Sequence, residues 1–138
     1  MPDDGFTRWP YWRRWFGRRS EKAAGRFLRR LGYRVLAANL FEQVGEIDWL
    51  ALDGTTLVVV EVRSSETRSL TDVAATVDLP KQRKLTDAAL RFLGRRGLLG
   101  HPVRFDVLAI RWPAGARDPE FLHLRNAFEA VGRYQMFN

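Results

Sequence analysis

Two short runs place charge where a folded chain rarely tolerates it. The first is Gly45-Glu46-Ile47-Asp48, and the second is Leu57-Val58-Val59-Val60-Glu61-Val62-Arg63. Strands this apolar are normally buried, and buried strands carry carboxylates and cations only at a cost that needs a reason. Side chains alternate along a strand, so Glu61 and Arg63 are expected on one face, and Glu46 and Asp48 are expected to share a face as well. A hairpin around Asp53-Gly54 would bring Asp48 toward Glu61.

Carboxylates gathered in this way can hold a divalent cation, and a cation beside them can stabilise a phosphate. Hydrolysis of a phosphodiester needs an activated water, neutralisation of the phosphoryl oxygens and help for the leaving oxygen, which one or two magnesium or manganese ions supply. Asp48 and Glu61 are the expected metal ligands, with the main-chain carbonyl of Val62 as a third. Glu46 can add a ligand or polarise a water, and Glu21 can enter from a helix at the side. The alternative is a structural salt-bridge cluster of Asp48, Glu61 and Arg63 at a sheet end.

The elements that must position these groups follow from pattern. Residues 20–31 read as a helix with Ser20 as N-cap and an apolar stripe of Ala24, Phe27, Leu28 and Leu31, stopped by Gly32. Strands are expected at 33–41, 45–52, 55–64, 103–112 and 121–124. Residues 64–79 are polar without a clear period and read as a loop, open to mobility. Pro80 opens a second helix through about residue 93, with Leu85, Ala88, Ala89 and Phe92 as its buried face. Residues 113–119 form a Pro/Gly turn. The second helix can carry the chain over one face so that 103–112 runs parallel to the third strand. The expected fold class is α/β, a mixed central sheet flanked by helices.

The 138 residues suit one domain, taken as 17–138, preceded by an aromatic and arginine-rich arm at 1–16. In that arm Trp9, Trp12 and Trp15 recur every three residues among arginines. Base stacking with phosphate contacts or a membrane-surface helix would use such a pattern. Aromatics that cap the core or a subunit contact, with solvated arginines, explain it more simply. A homodimer is compatible with that reading. There is no cysteine, which removes disulfides and thiolate metal sites. No signal peptide is expected from the acidic start, and no stretch is long and apolar enough to span a membrane. Cytoplasm is the expected compartment and no membrane partner is expected.

The net charge of +7 and a pI near 10.7 suit a polyanion, with nucleic acid, DNA first, as the expected partner. Nearly all the cations are arginine, a bias that genome composition also produces. Arg26 and Arg30 on the first helix are candidate phosphate contacts. So are Lys81, Gln82, Arg83 and Lys84 at the start of the second, where free amides at a helix terminus would help. A solvated basic face is the equal alternative for that second group. Asp106 reads as structural or supporting, and neither His101 nor His123 is assigned a metal.

GEIDWLALDG followed by LVVVEVRSS resembles the signature of the YraN-like family of bacterial proteins. The likeness extends to Ser20-Glu21-Lys22-Ala23-Ala24, Leu31-Gly32-Tyr33, Asn39, Pro80-Lys81-Gln82-Arg83-Lys84, Arg104-Phe105-Asp106-Val107 and His123-Leu124-Arg125-Asn126-Ala127-Phe128. It covers about residues 17–128 and leaves the arm outside. The resemblance implies a restriction-endonuclease-like core with a PD-(D/E)XK site. Asp48 then matches the first acid, Glu61 the second, and Glu21 a helix acid of related junction-cleaving enzymes. Arg63 falls where that motif has lysine. Arginine stays charged and cannot serve as a base, so metal binding survives the change better than turnover.

Overall fold

The computed structural model describes residues 11–131, with side chains from residue 19 onward. The elements are α1 (Tyr11–Arg30), β1 (Arg34–Glu42), β2 (Gly45–Asp53), β3 (Thr56–Ser65), α2 (Leu70–Ala75), α3 (Leu79–Arg95), β4 (Val103–Arg111) and β5 (Glu120–Phe128). The strands form one sheet in the order β1-β2-β3-β4-β5. All neighbours are antiparallel except β3 and β4, which run parallel across the α2–α3 crossover. The expected α/β class with a mixed sheet flanked by helices is therefore the observed one.

The sheet is covered on both faces. On one side Leu85, Ala88, Ala89, Phe92 and Leu93 of α3, with Val73 and Ala74 of α2, pack on Ile47, Leu57, Val59, Phe105 and Val107. On the other side Ala23, Ala24 and Leu28 of α1 meet Trp49, Val58, Val60, Leu108 and Ile110. A valine run such as 58–60 is buried on both faces because each alternate residue has a helix above it. Each large apolar side chain so covered stabilises the fold by roughly 1.5–3 kcal/mol relative to exposure.

Several expectations need correction. Ser20 is not an N-cap, because α1 starts at Tyr11, directly after Pro10 in the sequence. Ser20 is instead buried, and its hydroxyl accepts from the indole Nε1 of Trp112 at 2.9 Å, fastening α1 to the end of β4. Arg19 stacks on the same indole, 3.8 Å from the ring centroid. The helix continues across the expected boundary at residue 16. Residues 1–10 of the expected arm and the side chains of 11–18, including Trp9, Trp12 and Trp15, lie outside those described.

The segment 64–79 is not simply a loop. Ser69 caps α2 by accepting from the Asp72 N–H, and the short helix exists because Val73 and Ala74 find the core. The β2–β3 hairpin turns on Gly54 and Thr55, since Asp53 already pairs with Thr56. Gly54 supplies the positive φ of 63° that a two-residue turn demands. β5 is longer than the four residues expected. Asn126, at a φ of 51°, bulges it opposite Asp106 and lets pairing resume at Phe128.

Candidate functional site

β2 and β3 pair from Asp53↔Thr56 to Trp49↔Val60. Beyond Val60 the strands part, and Asp48 meets the continuation of β3 through its side chain. Its Oδ2 accepts the main-chain N–H of Val62 at 2.9 Å. The register sets Glu61 beside Asp48, as the hairpin predicts. Glu61 is 4 % exposed. Its Oε2 lies 3.2 Å from Nε of Arg63 and 3.4 Å from Nζ of Lys81. Its Oε1 is buried with no hydrogen-bond partner. The Arg63 Nε is likewise buried without an acceptor in line, so that contact is a charge–charge approach rather than a formed hydrogen bond.

The carboxyl of Glu61 is pushed up to about 8. Burial is the main cause and the negative charge of Asp48 the second, Lys81 and Arg63 pull it down, and a carboxyl–carboxyl hydrogen bond with Asp48 adds to the rise. Two acids thus lie side by side, one of them with an oxygen that has no hydrogen-bond donor.

The backbone explains how Asp48 reaches this position. Ile47 packs on the α3 side and Trp49 on the α1 side, so strict alternation fails across Asp48. β1 slips in the same way, with Ala38 on the α1 side and Leu40 on the α3 side. Between them Asn39 takes a φ of 54° opposite Asp48. The regular alternation that would set Glu46 and Asp48 on one face is therefore interrupted between Ile47 and Trp49. Asparagine tolerates the left-handed region better than most residues.

Asn39 also explains Glu21. Its Nδ2 donates to Oε2 of Glu21 on α1, which ties the helix acid to the residue opposite Asp48. Glu21 and Arg26 help line a pocket of about 200 Å³ against Trp49. Gly25 makes this packing feasible, because a Cβ there would sit 2.9 Å from the Trp49 ring. Glu46, half-buried at the start of β2, lies opposite Phe41.

The remaining expected contacts divide. Lys81 joins the acids. Gln82 turns back, its Nε2 donating to the Val77 carbonyl at 3.1 Å. Arg83 and Lys84 are exposed on α3, and Arg26 and Arg30 are exposed on α1, across the sheet. The expected help from helix-terminal amides is reduced. Asp78 caps α3 and takes the N–H of Lys81 on its side chain and that of Gln82 on its carbonyl, and Pro80 has no N–H. That Lys81 reaches Glu61 was not foreseen, since nothing local sets which way a first-turn lysine points.

A second polar cluster lies on the α1 side of β4. The buried Asp106 carboxylate accepts from Arg104 Nε at 2.9 Å, His123 Nε2 at 2.8 Å and the Asn126 N–H at 2.9 Å. Arg104 also binds Asp53 at 2.9 Å and the Tyr33 hydroxyl. Burial would raise the Asp106 carboxyl, but donation from His123, Arg104 and the Asn126 amide outweighs it and brings the group down to about 2. This cluster holds the β5 bulge, which matches the supporting role expected for Asp106.

Among the described residues no group of three or more His, Asp or Glu is arranged to hold a metal ion. Asp48 and Glu61 are two. A pair fits magnesium chemistry, because that ion keeps several waters and takes one or two carboxylates with the substrate's own oxygens. The orphaned Glu61 Oε1 is the observation that favours the fit. No helix among the described residues is long and apolar enough to cross a membrane.

Comparison with known proteins sets this arrangement in a family. The chain is 42% identical over 118 residues to a UPF0102 protein of Desulfosudis oleivorans, covering 86% of this chain and 93% of that one. It is 44% identical over 119 residues to one of Rhodopirellula baltica, covering 84% and 71%. A relative from Geobacter sulfurreducens is 41% identical over 113 residues, covering 82% and 88%. The family profile matches residues 20–110, a span that holds Glu21, Asp48, Glu61, Arg63 and Lys81. The chain thus belongs to the Uncharacterised protein family UPF0102.

Proposed function

We propose that this protein binds nucleic acid and acts as a metal-dependent endonuclease on a restriction-endonuclease-like core, with structured or branched DNA as the expected substrate. One observation carries the reading. Asp48 and Glu61 are held together at the point where β2 and β3 part, and Glu61 is buried with an unpaired oxygen. Structural salt bridges do not require two acids to press on each other. Two adjacent acids, one of them buried, support a cation site over a salt bridge alone.

Magnesium or manganese bound there would supply charge neutralisation and an acidified water. Asp48 and Glu61 would hold it, with the Val62 carbonyl at hand. Asp48 is oriented by the Val62 N–H, and Glu61 by the two cations on its Oε2. Arg63 stays protonated at any working pH, so its contribution is charge, not proton acceptance. The exposed arginines of α1 and the net charge of +7 provide the long-range attraction for a polyanion.

Arg63 also favours a second reading, a nucleic-acid-binding module of the same fold without hydrolysis, since no strand lysine lies two residues after Glu61. Cleavage assays with magnesium and manganese on branched, duplex and single-stranded DNA and on RNA distinguish the two. The enzyme reading expects metal-dependent cleavage that Asp48→Asn abolishes. Binding without cleavage of any substrate favours the module, and neither binding nor cleavage removes both.

A further inference from the structure

Glu61 is approached by two cations of different character. Arg63 comes from the same strand; a third of its side chain is exposed, but its Nε is buried against the carboxylate. Lys81 comes from α3, is about a quarter exposed and lies 3.4 Å from the same oxygen. An ammonium carries three donors on a flexible four-carbon stem, and a single contact with Glu61 leaves the others unspent. The start of α3 offers a phosphate little else. The amides of Lys81 and Gln82 are taken by Asp78, and Pro80 has none.

We infer that Lys81 is the residue that binds the phosphate brought to Asp48 and Glu61. The assignment rests on the nuclease reading and deepens it. In the free protein Lys81 occupies Glu61 Oε2 as a stand-in positive charge. A divalent cation on the carboxylates would displace the ammonium from them and leave it for the nearest anion, a phosphoryl oxygen of the bound strand. This asks only for rotation of a side chain on a helix whose backbone is already capped.

Two measurements on the full chain test it. The first is calorimetry with manganese alone. Lys81→Ala should tighten binding several-fold, because it removes a positive charge that competes for Glu61, and Lys81→Arg should not. A lysine that merely lies in solvent would leave the affinity unchanged. The second is the salt dependence of binding to a branched DNA oligonucleotide in calcium. Lys81→Ala should lower the log–log slope by about one unit, the loss of one phosphate contact, and Lys81→Arg should restore it. An unchanged slope in Lys81→Ala, with wild type binding normally, overturns the assignment and leaves the nuclease reading standing. Tighter manganese binding with an unchanged slope also overturns it, leaving Lys81 a partner of Glu61 alone. If wild type binds no DNA at low salt, the nuclease reading fails and the assignment fails with it.

Discussion

Asp48 and Val62 are joined by a hydrogen bond that replaces strand pairing: the N–H of Val62 donates to Asp48 Oδ2 at 2.9 Å where the β2–β3 ladder has ended. The same carboxylate raises the proton affinity of Glu61. Asp48→Asn keeps an oxygen for Val62 and removes the charge that presses on Glu61. The metal-free variant should be more stable than wild type by about 1 kcal/mol, the usual gain when a functional strain is relieved. Asp48→Ala loses the hydrogen bond as well and should show no such gain. Urea midpoints at pH 8 check both, and a destabilised Asp48→Asn would contradict the strain.

Asp106 makes a pH prediction with a definite sign. Its folded-state pKa of about 2 lies below the ordinary 3.8, so it stabilises the fold fully above the ordinary value. That contribution is lost as pH falls from about 4 toward 2, with a size of about 2 kcal/mol. Asp106→Asn has no carboxyl to titrate, so this part of the acid slope should vanish. Stability measured across that window in both proteins checks it, and parallel acid slopes would contradict it.

Gly25 tests how tightly α1 sits on the sheet. A Cβ there would lie 2.9 Å and 3.1 Å from two carbons of the Trp49 ring, which is buried and flat. Gly25→Ala should destabilise by about 1–3 kcal/mol despite alanine's better helix propensity. Thermal unfolding gives the answer, and a stabilised variant would mean that α1 can lift away from Trp49 without cost.

On the proposed function, the exposed cations of α1 would bear on binding and not on folding. Replacing Arg26 and Arg30 with glutamine should leave stability within about 0.5 kcal/mol. Affinity for DNA should fall, with a salt slope smaller by about one unit for each phosphate contact removed. Equal affinity and equal slope would place the nucleic-acid path elsewhere on the surface.

Much of the fold is visible in local pattern. The valine run, the Asp-Gly turn and the Pro80 helix start each have a local physical cause, and together they bring Asp48 to Glu61. What escaped depends on partners far away in sequence. Ser20 resembles a helix cap because serine is good at capping, yet its partner is Trp112. The short helix α2 has a composition that reads as loop, and only the core contact of Val73 and Ala74 makes it worthwhile. Asn39 sits where the alternation on which strand reasoning depends is interrupted, so spacing alone does not fix the faces of Glu46 and Asp48. The reach of Lys81 to Glu61 is set by how α3 lies on the sheet, which no local spacing encodes.

The central claim is that Asp48 and Glu61 together hold a divalent cation. Calorimetric titration of the wild type, Asp48→Asn and Glu61→Gln with manganese tests it most directly. Both substitutions keep size and shape, so the fold is preserved while one ligand charge is removed. The account predicts one bound manganese in the wild type and loss of that binding in each variant. Binding of equal affinity in all three proteins, or none in the wild type, would contradict it.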